Sequence, residues 1–415
     1  MASSIRHSNQ FLFDICEQGN LETIINYLNP LSSSEICSIR DENQATLVHY
    51  TCRYGHINLL KYFLEIKHID LTQLRTEHGA TCAHDAAVCD QKDILKYIFY
   101  QSKQLQWNVR DELGNTPLHL AASYNSLNVL KYLLNEQYAD PHNQSYHGFL
   151  AIHYASEHGY NECVKFLLLK SPDTINQQTN QLFTPIHLAC QHGFFETVQL
   201  LSSYGANCQL KDEHGCNCLH IACINGYIDI VQWLIEKQNS NINEFDYNNS
   251  TPIHYAVISG NEHLINYLLD KQAIINYDHH GNTLLHKAAG NGHQSICAIL
   301  IERGCCSLTT VNNQQLTAAD LAENSGYISL ANELRLRGNS SLLQKATIVR
   351  LVIKKRNVPR KDVSCQVNEE DLIMIKLNES HSLNQNGHYS PMKKGEISTI
   401  TTNFQDIDHV PVEFL

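Results

Sequence analysis

The chain contains no run of about 18 apolar residues, so nothing in it reads as a membrane-spanning helix. Basic residues are the minority, with 30 Lys and Arg against 42 Asp and Glu and a net charge of −12. A nucleic-acid binder needs a basic face, so that class is set aside. There is no P-loop, GxGxxG or nucleophile elbow, and no Ser or Cys stands beside a base in a catalytic pattern, so no enzyme and no cofactor are expected. The polar start MASSIRHSNQ lacks a secretory signal. The 15 Cys fall at non-recurring places. Both observations point to a reducing, cytoplasmic setting.

What the sequence does contain is repetition. In the stretch from Asp111 to Leu134, DELGNTPLHLAASYNSLNVLKYLL, Gly114, Asn115 and Thr116 close a turn and Pro117 starts a short helix. Leu118, Leu120, Ala121 and Ala122 give that helix an apolar side, with two residues small enough for close approach. Val129, Leu130, Leu133 and Leu134 then recur at helical spacing and predict a second helix. Such a hairpin cannot bury its apolar faces alone and needs copies on either side. The copies are marked by His49, His84, His119, His153, His187, His220, His254 and His286, with Asp320 in the same place of a last copy. Subtracting these positions gives steps of 35, 35, 34, 34, 33, 34, 32 and 34 residues. A period in the low thirties with a TPLH-like start resembles the ankyrin repeat.

The expected architecture is an all-α ankyrin-repeat solenoid of about ten helix-turn-helix repeats over residues 10–337. A lead of residues 1–9 precedes it, and a mostly disordered tail of residues 338–415 follows. Residues Gln10 to Leu28 read as a degenerate first pair, and the hairpin from Thr317, with a polar second helix from Ile328 to Leu336, as a C-terminal cap. Gln44 and Leu182 stand where Gly usually supplies a left-handed turn residue, and Asp90 and Asn125 replace hairpin glycines, a conformation Asn tolerates and Asp less well, so local irregularity is expected there with no loss of the stack. In the tail, Thr347 to Lys355 is apolar and then basic through Arg356, Arg360 and Lys361. That patch is either a solvated charge run or a site for acidic lipid, actin or the groove itself. The end, Val412-Glu413-Phe414-Leu415, resembles a PDZ ligand.

The repeat histidines are expected to satisfy neighbouring turns and not to hold metal. Cys216, Cys218 and His220 look like a ligand cluster, but they run into a helix and zinc needs four convergent ligands, so no metal site is expected. Function is left to the groove between turn tips and first-helix ends. By register it offers Tyr54, Leu113, Tyr124, Phe149, Glu157, His158, Phe183, His192, Ile224 and Tyr247 for partner binding. Tyr54, Tyr124, Phe149 and Phe183 are aromatic where a bare scaffold would be polar. They are either anchors for a peptide or packing against the next tip.

Within the ankyrin class, the stretch from Gly79, GATCAHDAAVCDQKDILKYIF, resembles an espin repeat in its Ala83-His84-Asp85-Ala86 run. The stretch LLLKSPDTINQQTNQLFTPIHLACQHG, from Leu167 to Gly193, is similar to the espin connection with its NxQT turn. The resemblance implies a scaffold of the actin cytoskeleton whose groove takes a class III myosin tail peptide. It also implies a monomer, cytoplasmic and cytoskeleton-associated. Espins carry proline-rich and actin-binding segments after the repeats; with 9 Pro, none clustered, this chain shows no match to them, so bundling is not carried over. Two other readings stand beside it: direct actin binding or bundling through the basic tail, and a generic cytosolic ankyrin adaptor or inhibitor.

Overall fold

A Thr, or once each Leu150 and Asn217, holds extended backbone before the first helix of repeats 2 to 10 and so serves as its N-cap. In the computed structural model, which describes residues 2–101, 107–136 and 139–339, these nine starts open nine of the ten helix hairpins. Repeat 1 pairs Ala2–Gln18 with Leu21–Leu28. Repeat 2 pairs Leu47–Arg53 with Ile57–Lys61, which continues as a π-helical turn over Tyr62–Ile66. Repeats 3 to 5 pair Cys82–Val88 with Lys92–Gln101, Pro117–Ser123 with Leu127–Asn135, and Ala151–Glu157 with Asn161–Lys170. Repeats 6 and 7 pair Pro185–Gln191 with Phe195–Ser203, and Cys218–Ile224 with Ile228–Glu236. Repeats 8 and 9 pair Pro252–Ser259 with Glu262–Asp270, and Leu284–Gly290 with Gln294–Glu302. Repeat 10 pairs Ala318–Asn324 with 328–339. The tail from residue 340 on, with its basic segment and PDZ-like end, lies outside the described residues.

First helices pack on first helices and second helices on second helices, giving two layers with the apolar core between them. The first-helix layer is thin because its contact residues are small. Ala86, Ala87, Ala121, Ala122, Ala155, Ala189, Ala222 and Ala256 are fully buried there. One helix is additional to the repeats: Ser33–Ser38, capped by Ser32, whose N–H donates to the Glu35 carboxylate at 2.8 Å. Lys67 closes the end of Leu21–Leu28 from the next repeat, its Nζ donating to Leu28, Asn29 and Leu31 carbonyls at 2.7, 3.1 and 2.9 Å.

The repeat histidines join neighbours. In all eight, Nδ1 accepts the cap residue's backbone N–H at 3.0–3.3 Å. In seven, Nε2–H donates to a carbonyl of the following repeat at 2.9–3.1 Å. A carbonyl only accepts, so with Nδ1 taking the cap N–H the Nε2–H tautomer is fixed and the ring stays neutral in six of these; at His220, Nδ1 also lies 2.8 Å from the Asn217 amide oxygen, itself an acceptor. His49 differs: its Nε2 is buried without an acceptor. Asp320 makes the same cap bonds with Thr317 and turns its other oxygen to Arg335 of its own repeat, so it needs no carbonyl from a further repeat. Those bonds hold its carboxyl down to about 2.

Gln44, Asp90, Asn125 and Leu182 take positive φ of 62°, 54°, 58° and 62°, doing the conformational work of the glycines they replace. The true glycines have a second reason to be there. A Cβ on Gly114 would meet the Tyr146 backbone nitrogen of the next tip at 2.7 Å, and one on Gly193 would meet the Tyr227 ring at 2.6 Å. Each is covered by the repeat that follows.

Burial pushes His119, His153, His187, His220 and His254 down to about 4. In the unfolded chain these rings take up protons near the ordinary value of about 6.5. Between the two values the unfolded state binds more protons, so stability falls as pH drops through that window and is level above it. Denaturant titrations from pH 7.5 down to about 4.5 will show a falling midpoint with net proton uptake on unfolding. Separately, Ala121→Leu overpacks the first-helix layer and will lower stability by about 1–3 kcal/mol in the same assay.

Candidate functional site

Each turn tip is folded by the side chain at its start, an Asp in five tips and Thr76, Ser145, Thr179 and Asn312 in the others. The Oδ1 of Asp41, Asp111, Asp212, Asp246 and Asp278 accepts two backbone N–H groups across its turn at 2.7–2.9 Å. Successive tips then pair: Glu77, Glu112, Tyr146, Asn180, Glu213, Tyr247, His279 and Asn313 donate their N–H to a carbonyl of the tip before. Arg40, Arg75 and Arg110 each bridge a carbonyl of their own tip to one at the next repeat. The tips therefore form one continuous wall.

The residue after each repeat histidine forms the floor beside this wall, and it often grips a tip. Tyr50 donates to Asp41 at 3.1 Å, Tyr154 to Asn115 at 2.7 Å and Tyr255 to Asp246 at 2.6 Å. Lys287 reaches Asp278 at 3.1 Å. Sequence reasoning passed over this row, although its signal was plain: the position directly after the histidine is Tyr three times, Asp once and Lys once where an apolar residue suffices elsewhere. Between repeats 8 and 9 the floor opens into a polar cavity lined by Tyr255, Asp278, His279, His280 and Lys287.

The ten residues expected in the groove are strung along repeats 2 to 8 and do not converge on one cavity. Tyr54, Leu113, Tyr124, Ile224 and Tyr247 are exposed, at 44%, 55%, 57%, 40% and 68%. Tyr247 lies over Gly215 with its N–H on His214. His158 is exposed and stacks on Tyr160 at 5.7 Å, while His192 sits 3.8 Å from Glu157 of the preceding repeat. Phe149 and Phe183 are half-buried. Phe149 lies 5.0 Å from the Tyr154 ring and 5.7 Å from His153, and Phe183 lies 6.2 Å from His187. Both pack on their own repeat's first helix. The suspected ligand cluster is divided among other partners: Cys216 Sγ contacts the Tyr255 hydroxyl at 3.2 Å and His220 Nε2 donates to Glu244. Among the described residues, no group of three or more His, Cys, Asp or Glu is arranged to hold a metal.

The family model described as "Ankyrin repeats (3 copies)" matches residues 12–111, 99–181, 168–246 and 238–315. The chain is an ankyrin-repeat protein. Its relatives are varied. Over 122 residues it is 30% identical to a transient receptor potential cation channel subfamily A member 1 homolog of Caenorhabditis elegans, covering 29% of this chain and 10% of that protein. Over 166 residues it is 27% identical to the nuclear factor NF-kappa-B p105 subunit of Gallus gallus, covering 36% and 16%. It is 32% identical over 112 residues to a probable 26S proteasome regulatory subunit p28 of Saccharomyces cerevisiae, covering 26% and 49%. This ankyrin-repeat chain thus spans a tenth to about half of those relatives' lengths. Ankyrin repeats are generally non-catalytic and imply protein partners. No helix among the described residues is long and apolar enough to cross a membrane.

Exposure separates the two kinds of aromatic. Tyr124→Ala will leave the thermal melt unchanged, whereas Phe183→Ala, which removes a ring packed on His187, will cost about 1–2 kcal/mol.

Proposed function

We propose that this ankyrin-repeat protein is an interaction adaptor whose tip-side groove grips an extended or helical segment of a partner protein. The observation that carries the reading is the row of exposed Tyr54, Leu113, Tyr124, Ile224 and Tyr247 beside a wall of hydrogen-bonded tips. Aromatic and aliphatic side chains held on a rigid frame are suited to anchor a peptide without a large ordering cost. Glu112 and Glu157 lie along the same face, which favours a basic segment and faster association at low salt.

The finer assignment is a class III myosin tail peptide as the ligand, with actin-based, cytoskeleton-associated structures as the setting. Its support is the espin-like Ala83-His84-Asp85-Ala86 run and the NxQT connection. Titration calorimetry with such a peptide tests both levels. Tyr124→Ala, folded as judged by its melt, will bind at least roughly tenfold more weakly than wild type. Equal affinities would move the site to another face, and no binding to the wild-type chain would end the myosin assignment.

A further inference from the structure

Asp85 occupies a floor position where the other first helices of repeats 2 to 8 carry Tyr50, Leu120, Tyr154, Leu188, Ile221 and Tyr255. It is buried, its Oδ1 accepts from Arg53 Nε at 3.0 Å, and its Oδ2 has no hydrogen-bond partner. Arg53 ends the first helix of the preceding repeat. Its guanidinium carbon lies 5.1 Å from the centre of the Tyr50 ring, and Tyr50 is itself tied to Asp41. The guanidinium is thus fixed on two sides. Among the described residues, Nη1 and Nη2 donate no hydrogen bond, and the side chain is 29% exposed, next in the chain to exposed Tyr54. A buried ion pair of this kind is commonly no more stabilising than apolar residues of similar size. The apolar and aromatic residues of the other repeats show that the fold does not require one here.

We infer that Arg53, aimed by Asp85, reads an uncharged amide carbonyl of the bound partner segment at the repeat 2–3 end of the groove. The guanidinium charge is already matched by Asp85, with Asp41 behind Tyr50, so a carboxylate would approach a surplus of negative charge. A neutral carbonyl needs only the free N–H groups of the fork. Arg53 is the contact and Asp85 the positioning residue. The reading rests on the groove as the binding face and not on any myosin sequence.

The probe is a set of peptides selected from a random library on the full wild-type chain. The Arg53→Met/Asp85→Leu double variant removes both charges together and leaves none buried alone. It will melt at or above the wild-type temperature and bind the selected peptides roughly tenfold more weakly. Asp85→Leu alone will weaken binding several-fold and, leaving the Arg53 charge unpaired, will melt below the double variant; Arg53→Lys, lacking the fork, will also bind more weakly than wild type. The ratio of wild-type to double-variant affinity will be the same at low and high salt, because the group read is neutral. Equal affinities for every selected peptide, or a library that gives no binder, overturns the inference. So does a ratio that grows at low salt. Failure of the myosin tail peptide beside success of library peptides would sink only the motor assignment.

Discussion

Every repeat histidine except His49 spends one ring nitrogen inside its own repeat and the other on the next. The Nδ1 acceptor satisfies an orphan N–H at a helix start, and the Nε2 donor satisfies a carbonyl at the following tip. The net gain from one such bond is about 1 kcal/mol, but leaving a buried donor unmade costs about 1–3 kcal/mol. A neighbour that packs without presenting that carbonyl therefore forfeits more than one bond: it leaves an imidazole N–H in a dry interior. Glycines reinforce the dependence, because Gly114 and Gly193 are roofed by backbone or rings of the next repeat. Repeat 10 escapes it by using Asp320 and closing the bond with its own Arg335.

The same economy shapes the groove. Tips are held by Asp, Asn, Ser or Thr side chains within each turn, by N–H to carbonyl bonds between turns, and by Tyr or Lys reaching up from the floor. Residues on such a wall lose little freedom when a partner binds, so affinity depends on which side chains stand there. The exposed set lies on a frame common to ankyrin repeats, while the Arg53–Asp85 pair is particular to one junction.

Much of this was legible in the sequence, because a repeat multiplies weak local signals. The TPLH starts and the spacing of the histidines follow from local chemistry, and the structure shows both; at Gln44, Asp90, Asn125 and Leu182, where the sequence predicts irregularity, each residue takes the left-handed φ of the glycine it replaces. The helix Ser33–Ser38 went unread although Ser32 and Glu35 stand at capping-box spacing. The π-helical turn at Tyr62–Ile66 has no local signal of its kind. The division of the candidate aromatics into exposed Tyr54 and Tyr124 and half-buried Phe149 and Phe183 was out of reach for a different reason: register places a residue on a face but does not say whether a neighbouring ring covers it. The floor row was hidden by its variety, since Tyr, Asp and Lys share a role only once the tips they touch are known.

The coupling of repeats through histidine is most directly tested by nitrogen-15 correlation spectra of the imidazole rings across pH. His84, His119, His153, His187, His254 and His286 will appear as Nε2–H tautomers whose ring protons resist exchange while the chain is folded. Rings found in the Nδ1–H form, or exchanging freely between the two, would contradict the account.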